Sequence, residues 1–319
     1  MKYTKPPLSL EQQADLLIKR GLVADRDLLI ERLRVVSYYR LSGYWYTFRK
    51  PDPKHSGRYL DDFKPETHFD TIWNRYVFDR RLRLAMMDAV ERIEVAVRTA
   101  IAYHQAQSHG PFAYATNPAS LPGIDKKERD LLLGSIQREK SRSKEHFVRH
   151  FQSKYGDHHS DLPIWMAIEI MSFGSVLTLY RGCSPSIRQT VAKPLGVHDT
   201  VFETWLLTLN TVRNICAHHG RLWNRELGTK PKIPRKNQDW HSPVEIGNKR
   251  MFGVLTICKW SLDRIAPQSR WSDRLRALFT EYPCIPLISM GFPENWQESP
   301  IWKTQAPPLR ERKPEEKGS

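Results

Sequence analysis

Apolar residues recur at helical spacing along most of this chain, and no strand pair is legible in the pattern. Ser9 stands as an N-cap before LEQQADLLIKR, with Glu11 and Gln12 in the first turn, and this helix runs to Gly21. Leu28, Leu29, Leu33 and Val36 predict a second helix over about 25–39, closing a helical hairpin. The block YYRLSGYWYTF that follows could stack nucleobases, although so dense an aromatic cluster is more often core. Residues 51–68 are rich in turn formers and read as a connection. From Phe69 or Thr71 to about Gln107 a long helix is predicted, with Ile72, Tyr76, Leu82, Met86, Val90, Ile93, Val97 and Ile101 inward.

The pattern then turns polar over 109–161, with helical segments at about 126–138 and 143–154 and a basic run that includes Arg138, Lys140, Arg142 and Lys144. That run reads either as a wall for a nucleic-acid backbone or as a solvated surface. Periodicity resumes as a helix over 161–181, a short one near 184–193, a prominent one from Val201, and two more at about 244–266 and 271–280. The fold class is therefore all-α. Three parts are expected: an N-terminal helical extension over 1–68, a helical core over 69–285 that contains the basic insertion 109–161, and an irregular tail over 286–319.

Chemistry concentrates in VFETWLLTLNTVRNICAHHGRLWNR, residues 201–225. Asp199 and Thr200 offer N-cap side chains, Gly220 is placed as the C′ glycine, and Phe202, Trp205, Leu206, Leu209, Val212 and Cys216 form an apolar stripe. Arg213 interrupts that stripe. A buried guanidinium needs a carboxylate, a phosphate or a wet cleft, and Glu94 or Glu91, then Glu169, are the candidate carboxylates. Asn214 and His218 share a face at i, i+4, with His219 beside them. A histidine can move a proton near neutrality, and an arginine can grip and neutralise a phosphate, so the trio suits metal-free phosphodiester chemistry. The plainer alternative is an ion-paired arginine and a histidine C-cap.

Fifty Lys and Arg against 35 Asp and Glu leave a net charge of +15, which favours a polyanionic partner. Cys183, Cys216, Cys258 and Cys284 form no Cys-x-x-Cys pair, and no phosphate-binding glycine loop is present, so neither a metal nor a cofactor is expected. Without an apolar leader or a run near membrane-spanning length, a reduced, cytoplasmic protein with no membrane association is expected.

Arg213-Asn214-Ile215-Cys216-Ala217-His218 resembles the R-N-x-x-x-H form of the HEPN superfamily motif. The longer RNICAHHGRLWNR is similar to the abortive-infection AbiD/AbiF-like family of bacterial phage-defence proteins, and YYRLSGYW, FDRRLR…ERIEVAVR and PIWMAIEIMSFG agree with it in order. This resemblance covers roughly residues 10–260 and implies a HEPN-type helical bundle. It also implies an endoribonuclease in which His218 first, or His219 second, transfers the proton, Arg213 stabilises the phosphorane and Asn214 orients the phosphate or the imidazole. The products would carry 2′,3′-cyclic phosphate. Relatives appose two such motifs, which implies a homodimer, and they suggest a small structured RNA or an antitoxin as regulator. Arg221, Arg225, Lys230, Lys232, Arg235 and Lys236 would extend the RNA-binding surface. Two alternatives stay open: a non-catalytic binder of structured RNA of antitoxin or scaffold type, and a helical protein-interaction module.

Overall fold

In the computed structural model, which describes Lys2 and residues 6–303, side-chain caps delimit the first helices. Ser9 and Gln12 exchange side-chain and backbone hydrogen bonds in a capping box that starts α1 (Leu10–Lys19). After the short β1 (Leu22–Val23), Asp25 accepts from the Leu28 amide and starts α2 (Arg26–Val35). There the helix stops. Val36 is extended, and Ser37 accepts from the Arg40 amide to open α3 (Tyr38–Trp45), so the single helix expected over 25–39 is two and the aromatic block is itself helical. Tyr44 and Trp45 are buried, whereas Tyr39 is 88% exposed. The Tyr44 hydroxyl donates to Asp79 at 2.6 Å, and Arg83 pairs with the same buried carboxylate.

Residues 49–68 are more than a connection. β2 (Arg49–Pro51) pairs antiparallel with β3 (Tyr59–Phe63), and β4 (Thr67–His68) pairs parallel with β1. These ladders are two to five residues long and rest on backbone pairing, which leaves too few side chains to print an alternation.

The long helix is present as α4 (Phe69–His109). The basic insertion folds as α5 (Ala113–Thr116), α6 (Lys126–Arg142), started by an Asp125/Glu128 capping box, and α7 (His146–Tyr155). The helix expected over 161–181 is broken into α8 (Ile164–Ile170) and α9 (Phe173–Gly182). Ser172 causes the break by accepting from the Ser175 amide, and Arg98 sustains it by donating to the carbonyls of Ile168 and, at 2.8 Å, Met171. α10 (Pro185–Ala192), α11 (Asp199–Ala217), α12 (Met251–Ile265), α13 (Trp271–Glu281) and α14 (Pro300–Lys303) complete an all-α fold, in which 66% of the described residues are helical when short 3-10 turns are included.

Two compact units emerge: one takes the described residues up to Arg83 with Arg276–Pro286, the other Leu84–Leu275 and the described residues from Leu287 onward. The division thus falls within α4, not at residue 68. Ile301 and Trp302 are buried, and the Trp302 indole donates to Thr256 on α12 at 3.0 Å. Residues 287–303 therefore pack on the second unit, where an irregular tail was expected; 304–319 lie outside the described residues.

Within the second unit, side-chain contacts fix the register of three helices. Arg181 near the end of α9 reaches Glu128 on α6 at 3.1 Å and Glu203 on α11 at 3.6 Å. At the start of α9, Ser175 lies 3.4 Å from Ser135 on α6, and a side chain at Gly174 would sit 3.8 Å from Asn210 on α11. α9 is therefore antiparallel to both neighbours, and α6 runs parallel to α11. One further step of seven residues brings Arg142 on α6 level with Ala217 on α11, at the same end of the unit.

Candidate functional site

α11, the helix that holds the candidate site residues, is capped by His198, whose ring accepts from the Thr200 amide at 3.3 Å; Asp199 and Thr200, the expected caps, already lie inside the first turn. Asp199 is buried there, 3.4 Å from Arg188. Phe202, Trp205, Leu206, Leu209, Val212 and Cys216 are all buried, so the apolar stripe faces the core. Burial pushes the thiol of Cys258 on α12 upward, with the neighbouring Cys216 adding to the shift.

At the other end α11 closes in a double turn. The His219 amide donates to Cys216 O at 3.0 Å and the Gly220 amide to Ile215 O at 2.8 Å, the 5→2 and 6→1 bonds of a Schellman motif. His219, with φ +56°, holds the left-handed position that Gly220 was expected to take. Gly220 is needed for closeness instead: a Cβ there would lie 3.1 Å from Ile215 Cγ2 and 3.2 Å from Ile215 O. The turn leaves His218 and His219 exposed, directly beyond the exposed Asn214.

Arg213 departs from expectation. It is half-buried, its Nη1 donates to Asn214 Oδ1 at 3.4 Å, and among the described residues it has no carboxylate within ion-pair distance. Glu94 instead pairs with Arg98, the buried arginine that spans the α8–α9 break, while Glu91 and Glu169 are exposed. A guanidinium that keeps contact with water needs no buried counter-ion, which explains why none is provided. Arg98 is the residue that sequence reading undervalued. The signal for it in the sequence is its place between the inward positions Val97 and Ile101, one turn after Glu94.

The expected RNA-binding residues divide into two groups. Arg225 folds back so that its Nε donates to Arg221 O at 2.9 Å and its Nη2 lies 3.8 Å from the Cβ position of Gly220, beside the histidines. Arg138, Lys140 and Arg142, followed by Lys144, occupy the C-terminal end of α6, which runs parallel to α11 on the other side of α9. The basic loop goes elsewhere. Lys232 N donates to Thr204 Oγ1 at 2.9 Å and Lys232 O accepts from the Trp205 indole at 2.8 Å, which anchors Lys230, Lys232, Arg235 and Lys236 toward the N-terminal end of α11. From there to His218 is on the order of 20–30 Å along the helix.

A family model described as Abi-like protein matches residues 31–224, more than half of the chain. The chain belongs to the Abi-like family. The matched stretch holds α3 with its aromatic block, the Glu94–Arg98 pair, the α8–α9 break and the whole of α11. Membership in this Abi-like family suggests abortive infection, a bacterial defence against phage. Comparisons with curated proteins and with solved structures give no match. Among the described residues no helix is long and apolar enough to cross a membrane.

Proposed function

We propose that this Abi-like protein is a metal-independent endoribonuclease of the HEPN type that acts in abortive infection. One observation carries the reading: the Schellman turn presents His218 exposed one helical turn beyond Asn214, the residue whose amide oxygen the half-buried Arg213 guanidinium reaches at 3.4 Å. A phosphodiester placed there meets a guanidinium for its non-bridging oxygens and an imidazole for proton transfer.

In the reaction a histidine takes the proton from the ribose 2′-hydroxyl, and the 2′-oxygen attacks phosphorus. The bond from phosphorus to the 5′-oxygen breaks, that oxygen takes a proton from a protonated imidazole, and a 2′,3′-cyclic phosphate and a 5′-hydroxyl result. Arg213 offsets the charge on the phosphorane, and Asn214 positions the phosphate or the ring. His218 is the first choice for proton transfer and His219 the second. One motif provides a single arginine and histidine pair, so a second copy of the chain would complete the site across a cleft. Arg225 and the end of α6 add positive charge on the side where the RNA would enter.

A second reading is a non-catalytic binder of a structured small RNA, of antitoxin or scaffold type. It is favoured by the spread of basic residues to both ends of α11, which holds RNA without requiring chemistry.

The test is incubation of the purified protein with total bacterial RNA in EDTA, beside Arg213→Ala. Fragmentation by wild type alone is expected; intact RNA that nevertheless binds tightly would transfer the assignment to the second reading.

A further inference from the structure

Remote from the histidines, a cavity of about 930 Å³ opens where the basic loop crosses the start of α11. Its lining includes His198, Lys232, Arg235, Lys236, Asn237 and His241, and no carboxylate. The loop backbone that carries these side chains is fixed. Besides the two bonds of Lys232 to Thr204 and Trp205, the His241 ring bonds Pro234 O at 2.9 Å and Asn248 donates to Pro231 O at 3.0 Å. Trp240 is buried against Trp205 and Trp260, with ring centroids 5.3 and 5.4 Å away.

The cations on this frame are uncompensated. Among the described residues Lys232, Arg235 and Lys236 enter no ion pair, whereas nearby Arg181 and Arg188 both reach Glu203. Three exposed positive charges held on a rigid loop around a roomy concavity form an anion receptor whose backbone ordering is already complete. Carboxylates are absent from the lining, so nothing within the cavity competes for these cations.

We infer that this cavity is a second binding site, for phosphate groups, distinct from the α11 terminus. The inference goes beyond the nuclease reading and holds whether or not the histidines cleave RNA. Two sources can supply the phosphates: the backbone of an RNA strand or a free nucleoside polyphosphate. About 30 Å separates His198 from His218 along α11, so a strand stacked at about 3.4 Å per nucleotide needs roughly nine nucleotides to touch both ends.

The experiment measures binding of labelled 2′-O-methyl RNA, which cannot be cleaved through its 2′-oxygen, so failure of the nuclease reading leaves it unaffected. Oligomers of four and twenty nucleotides and labelled ATP are titrated against full-length wild type, Lys232→Ala/Arg235→Ala/Lys236→Ala, and Arg213→Ala/His218→Ala. With RNA as the source, the loop variant loses roughly tenfold in affinity for the 20-mer, and its salt slope falls by about 2, near 0.7 per lost phosphate contact. The double variant at the α11 terminus keeps the loop contribution, and ATP does not compete. With a free nucleotide as the source, ATP binds wild type and is lost in the loop variant, while the 20-mer is unaffected. A loop variant that binds the 20-mer and ATP as wild type does would overturn the inference.

Discussion

The amide of Gly220 donates to the carbonyl of Ile215 at 2.8 Å, and this bond folds the chain back over the end of α11 so that His218 and His219 stand outside the helix. The closeness depends on having no side chain at residue 220. Gly220→Ala would press a methyl against Ile215 O and Cγ2 at 3.2 and 3.1 Å. We expect it to destabilise the fold by about 1 kcal/mol and to lower cleavage further than that loss explains. Chemical denaturation beside an RNA-cleavage assay at a temperature where both proteins are folded checks this.

The Glu94–Arg98 pair supports the α8–α9 break, and through α9 the face of α11 at Asn210. Glu94→Ala leaves a guanidinium that is 9% exposed without its counter-charge, at a cost of about 3 kcal/mol. Adding Arg98→Ala should cost much less than it does alone, because the two act as one unit. Adding Arg213→Ala should be additive with Glu94→Ala. Strong coupling of Glu94 to Arg213 in such a double-mutant cycle would restore the partnership that the sequence suggested.

Much of the helical frame was legible, because a capped amphipathic helix declares both its ends and its inner face. α1, α4, α6, α7, α10 and α13 stand close to where periodicity placed them. The two helices read as too long share a physical cause. Ser37 and Ser172 look like ordinary positions inside a periodic run, yet each captures an amide and starts a new helix. At the α11 terminus, the arginine, amide and histidines could be read from spacing alone. The left-handed residue could not, since the nearby glycine is the usual occupant and His219 takes the position instead. Nor could the separation of the basic loop from the histidines be seen, because it is set by Thr204 and Trp205 gripping Lys232.

The register of α6 against α11 predicts which basic residues feed the proposed cleavage site. Arg142 is engaged by Glu139 and Lys140 by Ser160 O, so Arg138 and Lys144 are the more available. Arg138→Ala/Lys144→Ala should raise KM for RNA several-fold and leave kcat within about twofold, with the salt slope of binding reduced by about 1.4. Steady-state kinetics at two salt concentrations decide it.

Thiol accessibility tests the packing beneath the site. Burial pushes the Cys183 thiol up to about 12, raises that of Cys258 as well, and encloses Cys216, whereas Cys284 is exposed. One thiol should react promptly with a disulfide reagent in the native protein, and four after denaturation. Prompt reaction of Cys216 would mean that the end of α11 is not packed as described.

The most direct test of the central claim follows one end-labelled RNA in EDTA with wild type, His218→Ala and His219→Ala, and reads the chemistry of the new ends. The account predicts 2′,3′-cyclic phosphate and 5′-hydroxyl ends from wild type, a loss of at least about a hundredfold in rate for His218→Ala, and a smaller loss for His219→Ala. Cleavage that leaves 5′-phosphate ends, or that persists undiminished in both histidine variants, would contradict it.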